Sequence, residues 1–303
     1  MRIPSNLLPT KRGPSMSMPK VPGYKLLSKI AEGGSAAVYK GEKYNSQEKV
    51  ALKIIHKRHL ENKQALAEFY REAKLCLPLQ HENIIQFKEL VKNGTRPTIV
   101  MEYFPSQTLK YIIKTQKKLP LYKALRYLLQ AAQALQYLHE KGIVHKDIKP
   151  ENFLVGNKDR LKLIDLSLAE TLEELSKKKW LSWLIKPKAQ GTPTYIAPEQ
   201  IQRKIPSPQT DIYSFGITCY EILTGHPPFY ASDPNSLLEK HIKEKPKSIL
   251  STNPEIPKVV NDAVMKMMEK KPELRPKNLK EFLKVAERAY KSARAKERKK
   301  KKK

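Results

Sequence analysis

The sequence predicts an α+β protein with two lobes: a small antiparallel β-sheet lobe with one main helix, and a larger lobe that is mainly α-helical. Three observations support this fold class. Short strand-like segments dominate the first part of the chain, helical periodicity dominates the rest, and 303 residues suffice for one large or two small domains. The sequence shows no internal repeat.

The strand-like segments lie within the first hundred or so residues. Residues 24–30, 36–41 and 49–55 have the pattern of the first three strands, and residues 65–77 have the periodicity of a single helix. The apolar stretch 98–104 then predicts a buried strand that runs into a loop.

Helical spacing of apolar residues marks the second part of the chain. Leu125, Leu128, Leu135 and Leu138 fall on one face of a helix that Gly142 ends. Mostly helical periodicity continues from residue 211 to about residue 290, including residues 259–268 and 279–288.

Both ends of the chain differ in composition from the middle. Residues 1–23 combine prolines and basic residues without periodicity, which predicts a flexible leader. Residues 289–303 are strongly basic, and like-charge repulsion with few apolar residues predicts a disordered tail.

The charge balance is unusual, with 59 Lys and Arg against 30 Asp and Glu and a formal net charge of +29. Such an excess favours phosphate-rich or acidic partners. Cys76 and Cys219 lie in apolar helical contexts, so we expect core residues in a reducing compartment. We therefore expect a cytoplasmic location, with a nuclear location as the alternative. The apolar runs are shorter than the roughly 20 residues of a membrane crossing, so we expect a soluble protein.

The densest chemical signal is HKDIKPEN at residues 145–152, followed by Asp165 at the end of a short apolar run. Asp147 can orient and deprotonate a hydroxyl, and Lys149 can hold a transferred phosphate. Asn152 and Asp165 offer oxygen ligands suited to magnesium. Alone, any of these residues would more often be a solvated polar group. Their joint spacing predicts phosphoryl transfer to a hydroxyl group.

Further motifs follow at independent distances: VALK at 50–53, FYRE at 69–72, APE at 197–199, DIYSFG at 211–216, and Arg275. With HKDIKPEN, they resemble the motifs of eukaryotic-type Ser/Thr protein kinases over about residues 24–288. A looser resemblance, through His-Lys-Asp and the leucine after Asp165, is to receptor-interacting kinases of the tyrosine-kinase-like group. The family resemblance makes Asp211 a buried aspartate of a central helix and Arg275 the partner of Glu199.

The resemblance implies the two-lobed protein kinase fold and transfer of the γ-phosphate of ATP to serine or threonine of protein substrates, with Mg²⁺ as cofactor. Lys149 and the Thr192-Pro193 pair resemble the Ser/Thr class of protein kinases. The implied organisation is an N-lobe at 24–101, a hinge at 102–106 and a C-lobe at 107–288. Met101, at the end of the N-lobe, would be the gatekeeper side chain, while Glu102 and Phe104 of the hinge would contact adenine through their backbones.

The resemblance also implies the roles of the site residues. Lys53 would position the α and β phosphates, and Glu72 would form an ion pair with Lys53. Asp147 would align the substrate hydroxyl, and Asn152 and Asp165 would hold magnesium. The full predicted set is catalytic Asp147 and Lys149, metal-binding Asn152 and Asp165, and ATP-binding Ile30, Ala31, Glu32, Gly33, Gly34, Ser35, Ala36, Ala37, Val38, Ala51, Lys53, Glu72, Met101, Glu102, Phe104 and Leu154.

The glycine-rich loop departs from the family pattern. It reads IAEGGSAAV at residues 30–38, so Ala31 and Ala36 replace the first and third glycines of G-x-G-x-x-G. An added methyl group narrows the backbone's conformational range and its approach to phosphate. Gly33 remains at the middle position, so we expect ATP binding to be weakened and not lost.

Two departures lie near the metal and catalytic aspartates. Asp165-Leu166-Ser167 replaces Asp-Phe-Gly, and Ser167 lacks the conformational freedom of glycine. Leu166 is expected to fill the apolar slot, stacked with Cys76, Phe87 and His145. Lys146 replaces the arginine of His-Arg-Asp, and a lysine offers a point charge in place of a bidentate fork. We therefore expect little control by phosphorylation of the segment that follows.

Two other functions compete with catalysis. A pseudokinase that serves as scaffold or signalling switch is supported by Ala31, Ala36 and Ser167, and opposed by the presence of every charged group that catalysis uses. Alternatively, the basic tail is primary and delivers the folded domain to nucleic acid or anionic membrane.

Residues 175–186 combine a basic cluster with Trp180 and Trp183. This segment could dock a partner or lie on an anionic membrane surface. We favour packing of both tryptophans against the lobes from a short helix, because exposed tryptophans are uncommon.

Overall fold

The computed structural model describes residues 18–116, 118–181 and 191–300. They fall into two compact units, one formed by residues up to Ala67 together with Lys88–Tyr103, and the other by Glu68–Phe87 and the residues from Phe104 onward. The division after Tyr103 lies within the predicted hinge. Residues 68–87, which we predicted in the N-lobe, group with the second unit instead.

The first unit is built on a five-stranded sheet in the order β1-β2-β3-β5-β4, with antiparallel pairing of β1 with β2, β2 with β3, and β3 with β5. The first three strands and the helix follow the sequence prediction to within two residues at each end. β4 was not predicted, because its central residues are charged and exposed. The strands are β1 (Tyr24–Glu32), β2 (Ala36–Lys43), β3 (Lys49–Ile55), β4 (Phe87–Val91) and β5 (Thr98–Glu102). Helix α1 (Lys63–Cys76) begins in this unit, and its residues from Glu68 onward belong to the second.

One face of this sheet forms the core of the first unit. Val50, Leu52 and Ile54 of β3 point to the same side because alternate residues of a strand share a face. Val100 of β5 lies opposite Leu52 and joins the same buried cluster. The side chains of Ala51 and Lys53, which alternate with these residues along β3, therefore point to the opposite face of the sheet.

The start of the described chain belongs to this core. Val21 is 6% exposed and lies in the same cluster, and its carbonyl accepts a hydrogen bond of 3.1 Å from the Tyr24 backbone N–H. The Lys20 carbonyl accepts a hydrogen bond from Thr95 Oγ1 at 3.2 Å. The prediction of a flexible leader is wrong for these two residues, because the apolar Val21 side chain packs although it stands between prolines. Residues 1–17 lie outside the described residues.

The second unit is mainly helical. No helix in the described part of the chain has the length and apolar character that a membrane crossing needs. The elements of this unit that follow β5 are β6 (Ser106–Thr108), α2 (Leu109–Gln116), α3 (Leu121–Glu140), β7 (Ile143–Val144), β8 (Phe153–Gly156), β9 (Leu161–Leu163), β10 (Glu170–Thr171), α4 (Leu172–Leu181), α5 (Pro198–Ile201), α6 (Pro208–Thr224), α7 (Pro234–Lys243), α8 (Ile249–Thr252), α9 (Lys258–Met267) and α10 (Lys280–Lys300).

Helix α6 is the centre of the second unit. Residues 210–223 are all buried, and helices α3, α8 and α9 pack against α6. The helix ends at Gly225, whose φ of 86° is the left-handed conformation that glycine adopts without strain. Phe215 of α6 meets Phe282 of α10 edge to face, with ring centroids 5.6 Å apart.

Helix α10 extends to Lys300, so the prediction of disorder from residue 289 is wrong over residues 289–300. Ala286 and Ala289 are buried and anchor the helix within the unit. Beyond them, Lys, Arg, Ala and Glu are good helix formers, and cations are favourable at a helix C-terminus. An ion pair between Glu287 and Lys291, 2.7 Å apart at i and i+4, adds local support. Residues 301–303 lie outside the described residues.

Helix α4 does not bury the first of the two tryptophans. Trp180 is 78% exposed, whereas Leu175 is 3% exposed and anchors the helix. Five residues correspond to a rotation of about 140° around a helix, so the two side chains lie on different faces. The packing predicted for Trp180 is therefore wrong, and Trp183 lies outside the described residues.

Candidate active site

The predicted site residues divide between the two units, and each group is described within its own unit. The first unit contributes the loop 30–38, Ala51, Lys53, Met101 and Glu102. The second unit contributes the remaining predicted residues, which are Glu72, Phe104, Asp147, Lys149, Asn152, Leu154 and Asp165.

Four of the first group share one face of the sheet. Val38 of β2 is paired with Lys53 of β3, and Ala51 of β3 is paired with Met101 of β5. Directly paired residues of antiparallel strands point to the same side, and so do residues two apart on one strand. This face is opposite to the one that carries the core residue Leu52. The sheet therefore presents the predicted gatekeeper and the predicted phosphate-binding lysine side by side.

The glycine-rich loop is a tight turn between β1 and β2. The Gly33 backbone N–H donates to the Ala36 carbonyl at 2.9 Å, and a Cβ at Gly33 would lie 3.1 Å from that oxygen. Ala31 is paired with Val38 in the ladder, and neither Ala31 nor Ala36 has a positive φ. The two alanines occupy extended backbone that any residue adopts, so their methyl groups cause no backbone strain.

Basic side chains that follow β3 hold this turn. Arg58 Nη2 donates to the Gly34 carbonyl at 2.7 Å, and His59 Nε2 lies 3.2 Å from the same oxygen. His56 Nε2 lies 2.9 Å from the Gly33 carbonyl. The sequence motifs do not predict these contacts, because the glycine-rich loop and the basic residues are more than twenty positions apart and no motif includes both.

In the second unit, Asp147 is the centre of a hydrogen-bond network. Lys149 Nζ lies 2.5 Å from Asp147 Oδ2 and donates to Thr192 Oγ1 at 2.7 Å. The Thr192 backbone N–H and hydroxyl donate to Asp147 Oδ1 at 3.1 and 3.0 Å. The structure thus brings both predicted catalytic residues together. Thr192, which we used only as a sign of substrate class, is also a direct partner of both.

Asn152 and Asp165 fit a magnesium ion by their donor chemistry. The Asn152 side-chain nitrogen donates to the Asp147 carbonyl at 2.8 Å, which leaves Oδ1 as the atom suited to a metal. The Ile164 backbone N–H donates to the Asn152 carbonyl at 2.8 Å and thereby ties the backbone before Asp165 to Asn152. Asp165 is exposed and has a φ of 60°, a conformation that non-glycine residues adopt mainly under local constraint.

A buried carboxylate fixes the segment that leads into Asp147. Asp211 of α6 is fully buried and accepts hydrogen bonds from the backbone N–H groups of His145 at 2.8 Å and Lys146 at 2.7 Å. His139 Nε2 lies 3.0 Å from the same carboxylate. This confirms the buried aspartate that the motif at 211–216 predicts.

The predicted pair of Glu199 and Arg275 is present and buried. Arg275 Nη1 and Nη2 donate to the two oxygens of Glu199 at 2.7 and 2.9 Å. The four residues that we expected to stack, Cys76, Phe87, His145 and Leu166, are each at most 3% exposed and belong to the same unit.

A polar cluster beside this region was not predicted. Tyr195 OH donates to Glu221 Oε2 at 2.6 Å, and Lys110 Nζ lies 2.5 Å from Glu221 Oε1. Burial and the nearby Glu221 carboxylate raise the pKa of Tyr195 well above its ordinary value, so this hydroxyl stays protonated. Glu221 is 26 positions from Tyr195 and 111 positions from Lys110, so no local sequence pattern predicts these contacts.

Comparisons with known proteins agree with this geometry. Residues 24–287 match the family described as "Protein kinase domain". The chain is 35% identical over 260 residues to a "Probable serine/threonine-protein kinase" of Clostridium acetobutylicum, covering 86% of this chain and 39% of that protein. It is 32% identical to the serine/threonine-protein kinase PrkC of Bacillus subtilis over 82% of this chain and 38% of PrkC.

A eukaryotic relative gives the same result. The serine/threonine-protein kinase ULK3 of Mus musculus is 32% identical over 263 residues, which cover 86% of this chain and 54% of ULK3. The chain thus spans between about two fifths and about half of the length of these relatives. The family match covers most of the chain and includes every predicted site residue. The chain therefore belongs to the protein kinase family, of the eukaryotic type that these serine/threonine kinases represent.

Proposed function

We propose that the protein is an ATP-dependent kinase that transfers the γ-phosphate of ATP to serine or threonine hydroxyls of protein substrates. The observation that carries the proposal is the network in which Lys149 and Thr192 hold both carboxylate oxygens of Asp147. It provides a positioned proton acceptor and a cation within hydrogen-bond distance of one another, as phosphoryl transfer to a hydroxyl requires.

In this proposal, Asp147 accepts a hydrogen bond from the substrate hydroxyl and takes up its proton. The substrate oxygen bonds to the γ-phosphorus while the bond from that phosphorus to ADP breaks, so ADP is the leaving group. The Lys149 ammonium group neutralises charge that develops on the phosphoryl oxygens. ATP with magnesium would supply the phosphoryl group. Lys53 would bind the ATP phosphates, and Asn152 and Asp165 would bind magnesium. Thr192 keeps the Asp147 carboxylate oriented through its N–H and hydroxyl.

The pseudokinase alternative loses much of its support. Ala31 and Ala36 occupy ordinary extended backbone, so neither distorts the loop. Ser167 likewise has no positive φ, and its backbone N–H lies 3.4 Å from Asp165 Oδ1. The charged groups that the family uses are all present at matching positions of this chain.

The proposal is tested with radiolabelled ATP, magnesium and a generic acceptor protein. We expect the wild type to transfer label and Lys53→Met to lose roughly 10²-fold or more in rate, because a cation that neutralises the phosphates is removed. Lys49→Met is the matched control on the same strand, since Lys49 is exposed and pairs with Glu42. A wild type that binds ATP and magnesium without labelling itself or any acceptor would support the scaffold alternative instead.

We further propose that the basic end of the chain contacts phosphate-rich polyanions, either nucleic acid or anionic membrane. Nine of the thirteen residues 291–303 are Lys or Arg. Residues 291–300 continue helix α10, so their cations project from a helix beyond the last buried residue, Ala289. The location that we propose is cytoplasmic or nuclear, which the buried thiols of Cys76 and Cys219 support.

Truncation after Tyr290 should weaken retention on heparin, duplex DNA and anionic vesicles at low salt. Each cation that neutralises a DNA phosphate contributes a slope of about −0.9 in log affinity against log salt, so full-length protein should show the steeper salt dependence. Kinase activity on a short peptide should not change. Equal elution of both proteins over a salt gradient would show that these residues add nothing to polyanion binding.

A further inference from the structure

A charge cluster centred on a buried carboxylate lies next to the catalytic aspartate. Glu170, 7% exposed, accepts a hydrogen bond on Oε1 from Lys146 Nζ at 2.8 Å. Lys178 of helix α4 donates to the same oxygen at 2.7 Å. Lys146 is itself 5% exposed. Burial raises the pKa of the Glu170 carboxyl, but the hydrogen bonds from the two ammonium groups outweigh it and leave the pKa below its ordinary value.

Lys146 immediately precedes Asp147 and is held at three points. Its backbone N–H donates to Asp211, its carbonyl accepts a hydrogen bond from Gln200 Nε2 at 3.1 Å, and its ammonium group binds Glu170. Its φ is 69°, a left-handed conformation that a lysine adopts only when its surroundings impose it. The ion pair with Glu170 is therefore one of the forces that fix the backbone from which the Asp147 side chain extends.

The backbone around Glu170 is also fixed. Glu170 lies in β10 and is paired with Val144 of β7. Arg71 of helix α1 donates to the carbonyls of Ala169 at 2.7 Å and Ser167 at 3.2 Å. The segment that follows Asp165 is thus bound to α1 on one side and to the catalytic loop on the other. Backbone carbonyl groups therefore bind Arg71, and the Glu170 carboxylate binds Lys146 and Lys178.

We propose that Glu170 is a positioning residue for catalysis: its buried carboxylate supplies, from within the chain, the negative charge that holds the Lys146–Asp147 backbone in its active arrangement. This inference rests on the proposed kinase activity and adds how that activity is regulated. A phosphate group on the segment 166–190 is then not required, because the cation next to Asp147 already has a carboxylate partner. Lysine suits this role, since a single ammonium group can pair with one carboxylate oxygen, as Lys146 does with Glu170 Oε1.

The test compares wild type, Glu170→Gln and Glu170→Asp, each treated with phosphatase and checked by intact mass. We expect the dephosphorylated wild type to keep its full kcat. Glu170→Gln should lose about tenfold or more in kcat, because small displacements of a catalytic group reduce rates by up to about 10²-fold, with little change in KM for ATP. Glu170→Asp keeps the charge and should recover much of the loss. Glu173→Gln is the matched control, since the Glu173 side chain is 77% exposed and pairs only locally, with Lys177.

Amide hydrogen exchange of Lys146 and Asp147 provides a readout that is independent of activity. We expect faster exchange at these amides in Glu170→Gln, and wild-type exchange in the helix α6 core. Unchanged exchange at the loop, equal loss of protection throughout the unit, or loss of wild-type activity on phosphatase treatment would each overturn the proposal. If Glu170→Gln does not fold, Lys146→Gln removes the other charge of the same pair, while Lys178 still binds Glu170. Slower turnover with a locally loosened loop in Lys146→Gln then supports the proposal, and wild-type behaviour of Lys146→Gln contradicts it. A wild type without any transfer would refute the kinase activity, while loop exchange would still test the role of Glu170.

Discussion

Asp147→Asn should reduce phosphoryl transfer to a serine or threonine peptide by about 10²-fold or more without lowering the unfolding temperature. Asparagine has the same shape and can still accept hydrogen bonds from Thr192 through its side-chain oxygen. It cannot take up a proton from the substrate hydroxyl, and the Lys149 ammonium group, 2.5 Å from Oδ2, loses its charged partner. The change therefore removes the chemistry and leaves the packing in place.

Asp262→Asn is the matched control for this prediction. It makes the same chemical change in an exposed ion pair with Lys258, at 2.5 Å on helix α9. Initial rates with labelled ATP, measured at saturating peptide, should equal those of wild type for Asp262→Asn. Transfer by Asp147→Asn at the wild-type rate would show that Asp147 is not the proton acceptor.

Arg275→Ala should lower the free energy of unfolding of the second unit by about 3–5 kcal/mol, because it leaves the Glu199 carboxylate buried without its partner. The guanidinium is fully buried and also donates to the carbonyls of Gln209 at 2.7 Å and Glu269 at 2.8 Å. Arg275→Lys should fall between wild type and alanine, since lysine retains the charge but not the bidentate fork.

Urea unfolding monitored by circular dichroism measures this effect. Lys284→Ala is the control, because it breaks an exposed pair with Glu281 at 2.9 Å and such surface pairs contribute no more than about 1 kcal/mol. Replacing both partners of the buried pair by apolar residues should recover part of the loss, since no uncompensated charge then remains. A loss of less than about 1 kcal/mol for Arg275→Ala would mean that water or another group solvates Glu199.

Features fixed by local periodicity or by family motifs could be predicted from the sequence. Strands β1 to β3 and helix α3 followed from the spacing of their apolar residues. The pair of Glu199 and Arg275 and the burial of Asp211 followed from motifs, and the structure confirms both. In each case, one local pattern or one family constraint determines the outcome.

The rest depends on contacts between distant residues that single patterns do not encode. Glu170 and Lys146 are 24 positions apart, and the pairing of β7 with β10 brings their segments together. The burial of Val21 depends on the sheet that covers it, and the exposure of Trp180 depends on which face of α4 the fold buries. Similarly, the composition of residues 289–300 suits both a disordered tail and a helix, and buried Ala289 favours the helix.

The extension of α10 has a geometric consequence. A helix rises 1.5 Å per residue, so residues 290–300 form a rod about 16 Å long beyond Ala289. A flexible tether would let a bound polyanion sample every direction around the protein. The rod instead gives its cations fixed angular positions, because α10 is clamped where the Leu279 N–H donates to Gln136 of α3 at 2.9 Å. A polyanion bound along it would be held in one orientation relative to Asp147, and this would determine which nearby hydroxyls come within reach.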